Sequence, residues 1–138
     1  MKISGNSFCP CGSEKKFKKC CRVFHFDEEK PENALILMKS RYSAFAACDS
    51  SYIMKTTHKE NLDYTTDSLS WENSIHEFSD HSDFRKLDIL EFIDGENEAY
   101  VTFKATIFQG AIDSSFCEKS KFLKVDGYWL YHSGEIIE

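Results

Sequence analysis

Glu98-Ala99-Tyr100-Val101-Thr102-Phe103-Lys104-Ala105-Thr106-Ile107-Phe108-Gln109 decides the fold. In an extended chain Ala99, Val101, Phe103, Ala105 and Ile107 fall on one face, and Tyr100, Thr102, Lys104, Thr106 and Phe108 on the other. That alternation predicts a strand with one face buried. Before it, Asp94-Gly95-Glu96-Asn97 reads as a hairpin turn, preceded by Lys86 to Ile93, apolar enough for a largely buried strand. After Gly110, Asp113 to Val125 alternates again, with Phe116, Glu118, Ser120 and Phe122 on one face. Asp126-Gly127 makes a second tight turn, and Tyr128 to His132 closes an antiparallel meander.

Upstream of the meander the period changes. Val23 to Lys30 reads as a connector, and Pro31 suits the first turn of a helix. From Glu32 to Ala47, Leu35, Met38, Tyr42 and Phe45 recur at three- and four-residue steps and predict an apolar stripe. Asp49 can cap a second short helix from Ser51 to about His58, and Ser70 a third that carries Trp71, Ile75 and Phe78. Helices followed by a meander predict an α+β fold. The 138 residues are 41% hydrophobic and 29% charged, which fits one soluble domain. No apolar run approaches the ~20 residues of a membrane span. Met1 to Cys9 carries no apolar signal core, so a cytoplasmic location without membrane contact is expected.

The charge is divided along the chain. Residues 1–22 carry Lys2, Lys15, Lys16, Lys18, Lys19 and Arg22 against Glu14 alone, a balance of +5, whereas the remainder carries −11. The basic segment also holds four of the six cysteines, in Phe8-Cys9-Pro10-Cys11-Gly12-Ser13-Glu14-Lys15-Lys16-Phe17-Lys18-Lys19-Cys20-Cys21. Four thiolates at tetrahedral corners are a common structural zinc set, and a loop of this length can return the second pair to the first. Gly12 and Ser13 suit the turn. The lysines and Arg22 would offset the −2 of a four-thiolate zinc centre and lower the thiol pKa values. A Cys20–Cys21 disulfide would be strained, and a redox dithiol would more usually show C-x-x-C beside a βαβ unit. Zn²⁺ on Cys9, Cys11, Cys20 and Cys21 is therefore preferred over redox or other thiol chemistry.

The same segment resembles the SEC-C zinc motif at the C-terminal end of the SecA translocation ATPase, usually C-P-C-G-S-G-K-K-Y-K-K-C-C or C-H. Here Glu14 stands in place of Gly and Phe17 in place of Tyr. A second likeness lies in Leu37-Met38-Lys39-Ser40-Arg41-Tyr42-Ser43-Ala44-Phe45-Ala46, which is similar to the L-M-R-S-R-Y-S-A-F signature of the YchJ-like family of uncharacterised bacterial proteins. Glu118-Lys119-Ser120-Lys121-Phe122 and Asp126-Gly127-Tyr128-Trp129 resemble that family's E-R-S-x-F and D-G-x-W-x-Y ending. The resemblance implies a cystatin-like, nuclear-transport-factor-2-like domain over 27–138, preceded by the zinc motif over 1–26. It implies a strongly curved antiparallel sheet wrapped round N-terminal helices, with a conical cavity. The four motif cysteines carry over as metal ligands.

Candidate cavity residues are Arg41, Tyr42, His58, Glu118 and Trp129. Arg41 and Glu118 are each placed beside apolar neighbours, where an unpaired charge is costly, so they are expected to pair as a structural bridge or a ligand-reading pair. Isomerase or dehydratase chemistry occurs in cavities of this shape, but no carboxylate, His or Cys here sits in a spacing that announces general acid–base work. A non-enzymatic role is expected, with a small-molecule or enzymatic cavity as the alternative. Lys15, Lys16, Phe17, Lys18, Lys19 and Arg22 form a candidate docking surface for an acidic protein face or the ribosome. The acidic remainder would repel a long duplex. Related folds often dimerise through the open sheet face, so a homodimer is a further expectation.

Overall fold

The computed structural model describes residues 3–137. After a 3₁₀ turn at Phe17–Lys19 come four helices, α1 (Arg22–His25), α2 (Ala34–Ala47), α3 (Ser50–Lys55) and α4 (Ser68–Asp80). The strands follow: β1 (Asp83–Ile93), β2 (Glu98–Gln109), β3 (Ile112–Asp113), β4 (Phe116–Val125) and β5 (Tyr128–Ile137). They form one antiparallel sheet in the order β1-β2-β4-β5, with short β3 also paired to β2. The α+β meander is as the alternation predicts, and Ala99, Val101, Phe103, Ala105 and Ile107 are all buried.

The sheet is bent where its ladders slip. Register shifts fall between Phe84 and Lys86, between Ile89 and Glu91, and between Lys121 and Phe122. Each is an irregularity of the kind that bends a strand and sharpens its twist. The curved sheet closes over α2, and α3 and α4 complete the enclosure.

Several boundaries move for local reasons. Asn33 rather than the Pro31 turn starts α2, its side chain accepting from the Ile36 N–H at 2.9 Å. Asp67 rather than Ser70 caps α4, accepting from the Ser70 N–H at 3.1 Å. Asp49 caps α3 as expected, accepting from Tyr52 N–H. Part of the expected connector 23–30 folds as α1.

The largest departure is α2. An amphipathic stripe predicts one solvated face, yet Ala34, Leu37, Met38, Ser40, Arg41, Tyr42, Ser43, Ala44, Ala46 and Ala47 are all buried. Leu37, outside the stripe, is fully enclosed, whereas Leu35, within it, is half-buried. A helix buried on nearly every side belongs to the interior. Leu37→Ala is expected to lower unfolding stability by about 2–5 kcal/mol and Leu35→Ala by less than half as much, measured by denaturant titration. The reverse order would restore the stripe.

Candidate metal centre and cavity

The cysteine segment folds back on itself as a small hairpin. Cys9 N–H donates to Lys15 O at 2.8 Å and Phe17 N–H to Ser7 O at 2.8 Å, with Phe8 bridged to Lys16. Gly12 turns the chain with φ 86° and gives its N–H to Cys9 O at 3.2 Å. The 3₁₀ turn then delivers Cys20 and Cys21 beside the first pair. One sulfur from each of the four cysteines lies within 4.8 Å of every other, and Cys11 Sγ is 3.6 Å from Cys20 Sγ. All four are free thiols. Tetrahedral thiolates on one ion of zinc size stand about 3.8 Å apart, so the donor set fits a four-thiolate metal site.

Protonation of the cluster agrees with that fit. Hydrogen bonds from Cys11 and then Cys21 pull the Cys9 thiol down to about 3, and the Cys21 hydrogen bond draws Cys20 to about 6. Cys21, hydrogen-bonded with Cys11 and then with Cys20 and Cys9, is pushed far up. Four crowded sulfurs cannot all ionise by themselves, and a cation is what removes the conflict. Ser13 Oγ lies 3.1 Å from Cys20 Sγ and Ser43 Oγ 3.4 Å from Cys9 Sγ. These hydroxyls are positioned to donate to thiolate, a role the sequence alone did not assign to either residue.

Ser43 is a residue of α2, so the knuckle is seated directly on the central helix. Phe17, Ala47 and three of the cysteines form one buried cluster, and His25 gives its Nε2 proton to Ser40 O at 2.8 Å. Burial lowers the His25 pKa and keeps the ring neutral. Phe17 is thus a correction: it is fully buried rather than a docking residue. Its apolar ring plugs the knuckle onto α2 and His25, while Lys15, Lys16, Lys18 and Lys19 around it are exposed and Arg22 is half-buried.

The second candidate site lies inside the cone. Two cavities, of about 380 and 220 Å³, share Arg41, Phe45, Asp63, Phe78 and Tyr131. The smaller is walled by aromatic side chains from α2, α4, β1, β2 and β4 and also takes in Tyr42, Glu118 and Ser120. Arg41 Nη1 donates to Ile53 O at 3.1 Å, Thr56 Oγ1 at 2.7 Å and Thr57 Oγ1 at 3.1 Å. Its guanidinium lies 4.7 Å over the Tyr131 ring. Burial lowers the Arg41 pKa to about 10, which leaves it charged at neutral pH. Glu118 Oε2 accepts from Ser120 Oγ and, at 3.0 Å, from Tyr131 Oη. Burial and then Glu118 push the Tyr131 hydroxyl up, so it remains the donor.

Arg41 and Glu118 therefore share Tyr131 instead of forming an ion pair with each other. Two further candidates fall outside the cavities. Trp129 has the right face of β5 but packs in the core beyond the cavity end, opposite Lys124. His58 sits past the end of α3, where its N–H bonds Tyr131 O at 2.8 Å and its Nδ1 accepts from Glu60 N–H at 3.0 Å. With Glu60 and His132 it makes a second group of ligand-capable atoms, but the Nδ1 lone pair is engaged and His132 Nε2 is 3.0 Å from Glu60 Oε1. This trio clasps the 57–63 loop to β5. Tyr131 and Asp63 were missed; Tyr131 lies two residues beyond Trp129 on the same strand face, a period-two signal.

A bent antiparallel sheet closed over a central helix, with a four-cysteine knuckle seated on that helix, defines an NTF2-like protein bearing a SEC-C motif. The family described as YchJ, middle NTF2-like domain, matches residues 33–134 and the SEC-C motif matches residues 6–22; the chain belongs to the YchJ family. It is 32% identical over 136 residues to the UPF0225 protein SCO1677 of Streptomyces coelicolor, covering 94% of this chain and 96% of that one. The solution structure of RPA3114, a SEC-C motif containing protein from Rhodopseudomonas palustris, is 29% identical with a TM-score of 0.82, over 96% of this chain and 100% of the other. A SEC-C motif containing protein from Psychrobacter arcticus shares the fold, with a TM-score of 0.79 at 21% identity over 97% and 85% of the two chains.

One departure from the motif leaves a physical trace. Glu14, where the motif has Gly, adopts φ 67°. A non-glycine residue in that left-handed region is strained by about 1–2 kcal/mol, whereas glycine adds roughly 0.5–1 kcal/mol of chain entropy to the unfolded state. Glu14→Gly is expected to stabilise the metal-loaded protein by about 0.5 kcal/mol net in denaturant unfolding. A loss of stability would show that the Glu14 side chain makes an interaction outweighing the strain.

Proposed function

We propose that this protein binds one structural zinc ion through Cys9, Cys11, Cys20 and Cys21. The ion seals the N-terminal segment onto α2, and the lysine-covered outer face of the knuckle is a docking surface. The single observation behind this reading is the convergence of four free thiols within 4.8 Å of one another, with hydroxyl donors beside two of them. Zinc is favoured over a redox role because the ligand set is complete, leaving no open position for chemistry. The polar hairpin lacks an apolar core of its own beyond Phe17, so metal ligation supplies what burial does not. The free thiols accord with a reducing cytoplasm. No described helix is long and apolar enough to cross a membrane.

Native mass spectrometry of reduced protein is expected to show one zinc per chain and none in the Cys9→Ser, Cys20→Ser double variant. Because Cys9 reaches Ser43 on α2, zinc removal is also expected to lower the melting temperature of the whole domain by several degrees. Iron, or no metal, in the native chain would refute the assignment.

Lys15, Lys16, Lys18 and Lys19 present four cations with Glu14 as the sole acid of the segment. They suit an anionic partner surface, an acidic protein face or the ribosome. Cosedimentation with ribosomes at low salt is expected to be lost when all four are changed to Glu, with the metal retained. Unchanged cosedimentation, or none by the native chain, would turn the docking assignment away from the ribosome.

A further inference from the structure

We propose that the smaller cavity is a binding site for a compact, uncharged ring compound whose polar end carries an acceptor beside a donor, as a carboxamide or lactam does. The proposal stands on Arg41, Glu118 and the aromatic wall and is independent of the zinc centre.

Arg41 is buried, yet only Nη1 of its guanidinium is hydrogen-bonded among the described residues. Nε and Nη2 together carry three further N–H groups. Arg41 lines both cavities, and its unbonded nitrogens are not among the fully enclosed polar atoms. Donors of a charged group without a protein acceptor are otherwise left to water, and a ligand oxygen would satisfy them.

Glu118 sets the complementary requirement. Oε2 holds the Ser120 and Tyr131 hydroxyls, whereas Oε1 makes no hydrogen bond among the described residues, and the carboxylate lines the smaller cavity. A ligand N–H or O–H would complete it. The Tyr131 ring lies under Arg41 and its hydroxyl on Glu118, so both charged groups border one side chain of the cavity wall. Gly134 keeps this arrangement open, since a Cβ there would strike the Glu118 carboxylate and the Tyr131 hydroxyl.

Charge selects among ligands of one shape. Arg41 shares the lining of the smaller cavity with Glu118 and the more exposed Asp63, one cation against two anions. A carboxylate would add a third anion and offer nothing to Oε1. An amidinium would set a second cation beside Arg41 and leave its donors unfilled. A neutral carboxamide answers both groups, and Phe45, Phe78, Phe84, Phe103, Phe116 and Phe122 surround an aromatic body. The volume of about 220 Å³ holds one ring with a short substituent.

Benzamide, benzoate and benzamidine share one shape and differ in charge and hydrogen bonding, so they test the proposal directly. Each is titrated into full-length, metal-loaded, ¹⁵N-labelled protein and followed by amide chemical shifts. Benzamide is expected to saturate at millimolar concentrations, with shifts confined to α2, α4, the loop carrying Asp63 and the concave faces of β1, β2, β4 and β5. Benzoate and benzamidine are expected to bind at least about tenfold more weakly. Glu118→Gln removes one anion while keeping size, and is expected to improve benzoate about tenfold with little change for benzamide. Saturable binding by none of the three, tighter binding of either charged probe to the native chain, or shifts elsewhere on the molecule would each overturn the proposal. So would an unchanged benzoate affinity in a folded Glu118→Gln variant.

Discussion

Four consecutive residues of α2, Ser40-Arg41-Tyr42-Ser43, hold the molecule together because successive side chains leave a helix about 100° apart. Between them they reach α3, β5, β1 and the knuckle. Ser40 shares a 2.6 Å hydrogen bond with Tyr52 of α3, and its carbonyl takes the His25 proton from below the knuckle. Arg41 fastens the C-terminal turn of α3 and overlies Tyr131 of β5. Tyr42 lies edge-on to Phe84 of β1, and Ser43 reaches the Cys9 sulfur. Three of these four side chains are polar and buried. Their desolvation is offset only if every neighbouring unit is in place, which makes this turn a point of cooperativity for the fold.

The period-two pattern of β2 was legible because both its faces have uniform fates, and the same holds for the Phe116-Glu118-Ser120-Phe122 face of β4. The surroundings of α2 were not. Hydropathy marks Ser40, Arg41 and Ser43 as solvated, but each is buried by a partner distant in sequence, and no local pattern reports such a partner. Phe17 failed for the opposite reason: four exposed lysines disguise one ring that points inward. The thiol set was legible because its ligands lie in one short segment and the chemistry needs nothing from elsewhere except Ser43. In the cavity, strand faces could be read but depth could not. Trp129 shares a face with Tyr131 yet is absent from the lining of both cavities, two residues nearer the β4–β5 turn, opposite Lys124.

The two candidate sites draw on different sources of rigidity. The knuckle has little core and rests on a buried ring, hydroxyls beside two sulfurs and a cysteine set that could hold a metal ion. The cavity relies on the sheet, whose irregularities create the curvature that leaves room beneath it. A flatter meander would press Phe103, Phe116 and Phe122 onto α2 and fill the space. Glu118 and Tyr131 sit on adjacent strands, held by each other and by the absence of a side chain at Gly134. The polar pair is thus a product of the bend as much as of its own chemistry.

The seating of the knuckle bears on how the cavity is kept. Ser43 and Arg41 are two residues apart on α2, so they face different sides of one rigid helical turn. A rotation of α2 large enough to separate Ser43 from Cys9 would also withdraw Arg41 from Thr56, Thr57 and Tyr131. A metal held by the four sulfurs would oppose that rotation at one face of the turn, and the Arg41 hydrogen bonds oppose it at another. A buried guanidinium with spare donors is tolerable in an apolar cone only where the helix carrying it cannot turn to find other acceptors. A metal–thiolate centre on the far side of the same turn would supply that restraint.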